Sequence, residues 1–209
     1  PERPRSKSPL SADEIIETRN EKTSAAIFVG TDGLDLSSPE RAVLDVLDAA
    51  LSGIGYPGGR LQEALRGRAD LVYVVHAFPF YGLDRGYFGV ISQTTRDNLE
   101  RVQQVILKEL ARLREQPLTP EELQTAKDMV ITMHQLSAES LDTRAERAAV
   151  NEVLGLGWDF DRTYLEQVKA VSAEDVLRVA RRLFQHTLLV RTLPQQGETA
   201  QNTAAAGSQ

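Results

Sequence analysis

The chain has 209 residues, enough for one large domain or two small ones, and its 41% hydrophobic and 26% charged residues are the balance of an ordinary globular protein with a core to bury. A net charge of −6 with no long run of either sign argues against a nucleic-acid or anionic-membrane partner, and an aromatic content of 6% offers no stacking platform for bases. The lack of cysteine excludes thiol nucleophiles, disulfides and Cys-ligated zinc, and no apolar run has the length of a transmembrane helix or the shape of a secretory leader.

The sequence starts at Pro1 rather than Met, as expected of a processed product or an excised segment. Residues 1–13, rich in Pro, Ser and charge, read as a linker, and one domain is expected over 14–194 with no internal repeat. Residues 25–29 form a short apolar run before a glycine turn at 30–33, the pattern of a buried strand. Ser38-Pro39-Glu40 is a helix start, with Ser as N-cap, Pro at the first position and Glu at the positive end of the dipole. Val43, Leu44, Val46, Leu47 and Leu51 then fall largely on one helical face.

Residues 53–59 break that helix. Gly53-Ile54-Gly55-Tyr56-Pro57-Gly58 matches G-x-G-x-x-G literally, but a helix precedes it and Pro57 interrupts it, so it reads as a helix–helix turn rather than a dinucleotide fingerprint. A short amphipathic piece runs from 60 to 66. Residues 71–80 and 87–92, joined by a glycine turn at 82–86, predict a hairpin. Leu99, Val102, Val105, Ile106, Leu110 and Leu113 recur at helical spacing, and Thr119-Pro120-Glu121-Glu122 is a capping box. Ser137 and Ser172 are further N-cap candidates, residues 187–192 predict a closing strand, and 195–209 reads as a disordered tail. The class is α+β: a two-layer sandwich, mostly antiparallel sheet, with helices packed on one face.

Candidate chemistry is sparse. His76 shares its strand parity with Val72, Val74, Phe78 and Phe80, the setting of a satisfied core histidine; His134 and His186 lack local partners. Neither H-E-x-x-H nor H-x-x-E-H occurs. The acidic residues spread over helix faces, where solvation and dipole compensation account for them. There remains Leu65-Arg66-Gly67-Arg68-Ala69-Asp70-Leu71-Val72-Tyr73. Arg66 closes a helix and complements its C-terminus; Tyr73 opens a strand. Tyr73 alternates with Val75 and Ala77, opposite Val72, Val74 and Phe78. With helices over the latter set, Tyr73 looks out from the uncovered side, where a hydroxyl and a guanidinium together bind a peptide carbonyl or an oxyanion developing from it.

The order of these segments, the run 39–51, Gly58-Gly59-Arg60-Leu61-Gln62-Glu63-Ala64-Leu65-Arg66, Leu71-Val72-Tyr73, the 82–89 hairpin, the run 98–113 and Leu118-Thr119-Pro120-Glu121-Glu122-Leu123, resembles the pitrilysin, insulinase and mitochondrial processing peptidase family of zinc peptidases over about residues 15–193. The resemblance implies one of four two-layer domains in an enzyme whose halves close over a peptide, and specifically the second domain of a half, of the zinc-free kind. No cofactor is then expected in this chain; zinc is expected in a partner domain or subunit of the same family, in a homo- or heterodimer. Arg66 and Tyr73 match the family's substrate-contacting Arg and Tyr; Arg68 is close by, but the spacing to Tyr73 favours Arg66. The alternatives implied are a purely structural domain, like the metal-free core subunits of respiratory complexes, or a second domain whose zinc motif lies upstream. The family's spread leaves both a bacterial periplasm and the cytoplasm open.

Overall fold

The computed structural model describes residues 9–54, 57–67 and 70–195. The linker expected at 1–13 therefore falls mostly outside the described residues, as do the tail beyond Gln195, Gly55 and Tyr56 of the glycine loop, and Arg68.

Five strands make one sheet in the order β1-β5-β2-β4-β3: β1 (Glu14–Asn20), β2 (Ala25–Asp32), β3 (Val72–Phe80), β4 (Tyr87–Thr94) and β5 (Leu188–Pro194). β2, β3, β4 and β5 pair antiparallel, and β1 adds parallel to β5. Seven helices are described: α1 (Arg41–Ser52), α2 (Gly59–Gln62), α3 (Leu99–Glu115), α4 (Pro120–Leu136), α5 (Leu141–Val153), α6 (Phe160–Ala170) and α7 (Ala173–Leu183). Among the described residues no helix is long and apolar enough to cross a membrane.

Strand alternation explains the layering. Ala25, Ile27, Val29, Phe88 and Val90 are all buried on one face, against Leu44, Leu47 and Leu51 of α1 and Val102, Ile106 and Leu110 of α3. α4 and α7 pack on α1 and α3 in turn, with α6 against α1 and α4, and the Phe88 and Phe184 rings meet at 5.1 Å. Among the described residues no helix lies on the opposite face of the sheet, and the architecture is the expected two-layer α+β one.

Beyond shifts of one or two residues at strand ends, the structure differs from the sequence-based elements at the following places. β2 continues through the glycine turn expected at 30–33 and ends at Asp32. Gly30 and Gly89 face each other across the β2–β4 ladder, and the Phe28 ring lies where a Cβ on either would sit, within 2.8 and 2.7 Å. The helix expected from Ser38 starts at Arg41; Ser38 Oγ instead accepts the Glu40 N–H in a tight turn, and the Glu40 carboxylate pairs with Arg178 and Arg182 of α7. Ser137 ends α4, whereas Ser140 caps α5 by accepting the Thr143 N–H. Finally, β1 has no counterpart among the expected strands: it is an exposed edge rich in charge, and such edges lack an apolar alternation to read. The two capping boxes, Thr119 with Glu122 and Ser172 with Asp175, form as their spacing requires.

Candidate functional site

α1 runs out at Ser52, and the chain re-enters a helical turn at Gly59. Gly59 holds φ +77°, and a Cβ there would stand 2.7 Å from the Leu51 carbonyl carbon, so α2 starts in direct backbone contact with the end of α1. α2 widens at once into a π-helical turn, Glu63–Gly67, which carries Arg66 exposed in its last turn above the buried Leu65. The Leu71 N–H donates to the Leu65 carbonyl at 2.8 Å and closes the connection, with Asp70 at φ +43° making the reversal.

β3 then opens with an irregularity. Val72 pairs with Thr94 but Val74 pairs with Gln93, so Tyr73 is an extra residue, a β-bulge. A bulge strands backbone carbonyls, and here two buried hydroxyls of β4 take them: Thr94 Oγ1 donates to the Leu71 carbonyl and Ser92 Oγ to that of Val74. The bulge also resets the parity of the strand. Val72, Val75 and Ala77 face the helices, while Val74, His76, Phe78 and Phe80 lie on the open side. The expected alternation is thus corrected: Tyr73 does not share a face with Val75 and Ala77. It is 61% exposed because the bulge turns it out. His76 is corrected with it. It is not a core histidine but an exposed one, stacked on Phe78 at 5.8 Å.

The outer edge of β3 is closed where α1 and α2 reach it. Ser52 Oγ accepts the Ala77 N–H at 2.9 Å, and Gln62 Nε2 donates to the Val75 carbonyl at 3.0 Å. Arg60, one turn before the π-turn, is buried and forks onto Glu122 of α4 at 2.7 and 3.0 Å. That guanidinium, together with the Thr119 cap, holds the Glu122 carboxyl down at about 2. The segment presenting Arg66 and Tyr73 is therefore pinned at both ends.

Acidic residues also depart from the solvated reading. Asp48 on α1 is only 4% exposed, and burial, with the neighbouring Asp45 charge, raises its pKa to about 8 against the opposing hydrogen bond from Ser52. Asp45 accepts the hydroxyls of Tyr81 and Tyr164, both at 2.6 Å, and Arg41 lies over the rings of Tyr81 and Phe160. This network ties α6 and the β3–β4 connection to α1. A sequence signal existed for Asp48, which follows Leu44 by four residues and precedes Leu51 by three on the apolar stripe.

The three histidines sit on separate elements. His76 is on β3; His134 on α4 lies 3.3 Å from Arg147 and 3.7 Å from Asp161; His186 lies 3.9 Å from Asp13. Among the described residues no three His, Asp or Glu side chains converge to hold a metal ion, so this donor set does not fit zinc.

A two-layer α+β domain with a π-turn feeding a bulged edge strand is the class that the fold defines. The profile of the peptidase M16 inactive domain matches residues 1–130, and the chain belongs to that family, the zinc-peptidase family its sequence resembles. It is 27% identical over 172 residues to the uncharacterized zinc protease YmxG of Bacillus subtilis (strain 168), covering 82% of this chain and 41% of YmxG. The chain thus spans less than half the length of that relative. Its fold is shared by the inactive peptidase domain of a zinc protease from Bordetella parapertussis, with a TM-score of 0.72 at 21% identity over 84% of this chain and 95% of that one. It is also shared by a chain of complex III2 from Candida albicans, with a TM-score of 0.75 at 17% identity over 86% of this chain and 45% of that one.

Proposed function

We propose that this domain forms one wall of a peptidase chamber and presents Arg66 and Tyr73 to a peptide held at the zinc site of a partner domain or subunit. The observation that carries this reading is the bulge at Tyr73, which turns a phenol outward immediately after the pinned turn bearing Arg66. Bulges of this kind re-aim side chains beside active sites. The Tyr73 hydroxyl donates to a peptide carbonyl oxygen as negative charge develops on it, and the Arg66 guanidinium holds neighbouring backbone carbonyls. Zinc held by the partner would supply Lewis-acid polarisation of that same carbonyl. In an enzyme assembled from this chain and its zinc-bearing partner, Tyr73→Phe and Arg66→Ala should each lower turnover about a hundredfold. Near-normal turnover in both would contradict the assignment.

A second reading has support in the complex III2 likeness: a structural domain whose Arg66 and Tyr73 serve only the fold. It predicts co-purification with partners that lack any zinc motif, and no effect of the Tyr73 hydroxyl on any peptidase.

A further inference from the structure

The open face of the sheet concentrates the chain's aromatic residues. Phe28, Phe78 and Phe80, half of the six phenylalanines, meet there with Tyr87 and His76. Their rings form a continuous series. His76 stacks on Phe78 at 5.8 Å, Phe78 meets Phe28 at 6.4 Å and Tyr87 at 6.1 Å, and Tyr87 stacks on Phe80 at 5.1 Å. Gly30 and Gly89 leave the floor beneath Phe28 free of side chains, so its ring lies down on the sheet. Ile91, in line with Phe28 and His76, and Val74, which continues the surface towards Tyr73, are both substantially exposed. Asp32 and Arg85 pair beside Tyr87 at one end; between them and Tyr73 the β3 side of the face carries no carboxylate or ammonium group. The low aromatic total gave no hint of such a platform, because totals carry no information on placement.

We infer that this aromatic face is a binding surface for extended peptide carrying large apolar or aromatic side chains, an inference that rests on the chamber-wall reading above. Two observations select that occupant. The surface is continuous through Val74 with the exposed Tyr73 on the same strand. Its phenylalanine and tyrosine rings match apolar side chains rather than phosphate or acidic chains. Strand addition at the β3 edge is not the mode near Val75 and Ala77, because Gln62 and Ser52 already occupy those backbone groups. The peptide is gripped through its side chains, across the face.

The test is fluorescence anisotropy of the 209-residue chain with two labelled, uncharged heptapeptides, one alternating Phe and Ser and one in which Ser replaces every Phe. The Phe peptide should bind at least about tenfold more tightly. Ile91→Lys, and separately Tyr87→Ser, should each weaken it by about tenfold with circular dichroism unchanged, while Leu141→Ser, at an exposed position on α5, should leave it within about threefold. Equal binding of the two peptides overturns the inference, as does undiminished affinity in folded Ile91→Lys and Tyr87→Ser chains. Self-association through this face that the Phe peptide does not displace, seen by sedimentation, overturns it in favour of a second copy. Normal turnover in the Arg66 and Tyr73 variants would sink the proposed role of that pair and leave this binding result standing.

Discussion

Asp48 shows how much a single residue can hide in a helix that otherwise reads correctly. Its carboxyl is buried on α1 with a pKa raised to about 8, against an ordinary value of 3.8 in the unfolded chain. The folded state therefore binds the proton more tightly. Its contribution to stability is fully present below pH 3.8 and is lost as pH rises through 8. Asp48→Asn should raise the melting temperature at pH 8 by about 5 °C and have little effect at pH 4, as differential scanning calorimetry would show; a gain of equal size at both would contradict the assignment. Arg60 and Glu122 work in the opposite direction. The Glu122 carboxyl is held at about 2, so its contribution is present above 4.5 and is lost as pH falls towards 2. Arg60→Met should cost about 1–3 kcal/mol at neutral pH and flatten the acid limb between pH 4.5 and 2 in urea titrations. Helical spacing showed Glu122 as a capping residue, but its fork to Arg60, 62 positions away, is a tertiary contact that local pattern does not encode.

At the scale of elements, α1, α3, α4 and the hairpin were legible because their apolar periods and caps are local. β1 and the bulge were not. β1 is an edge whose side chains are exposed, so nothing in its pattern distinguishes it from coil. The bulge shifts the face of every residue after Val72, and strict alternation applied to 71–80 gives the wrong partition of Tyr73, Val75 and His76. The one trace of it in the sequence is Ser92 and Thr94, two hydroxyl residues on the helix-facing side of β4, where a plain ladder calls for apolar side chains. α5 stands apart in a different way. Polar contacts fasten it: Arg147 donates to Asp161 and Ser137, and Asn151 donates to Asp161, while Leu141, Val150 and Val153 remain exposed. Hydrogen exchange in this chain should therefore open α5 at least about tenfold faster than α1 or α3. Equal protection would mean that it is secured by contacts beyond these.

At the scale of the molecule, the sheet has one face filled by helices and, among the described residues, one left bare; Arg66 is exposed on the π-turn that precedes β3, and Tyr73 is exposed at the start of that strand. The sequence resemblance pointed to this pair and to the family. The site's geometry rests on the π-turn, the bulge and the sealed β3 edge, which emerge only when α1, α2 and β4 are brought together. On the chamber-wall reading proposed above, this chain supplies the substrate-gripping side of a site whose zinc lies elsewhere. The most direct test of that claim is to titrate the chain into a zinc-bearing partner domain and follow peptide cleavage. Addition of the unmodified chain should produce activity that saturates. Tyr73→Phe should saturate at the same chain concentration with about a hundredfold lower maximal rate. A Tyr73→Phe chain that restores the full rate would contradict the claim.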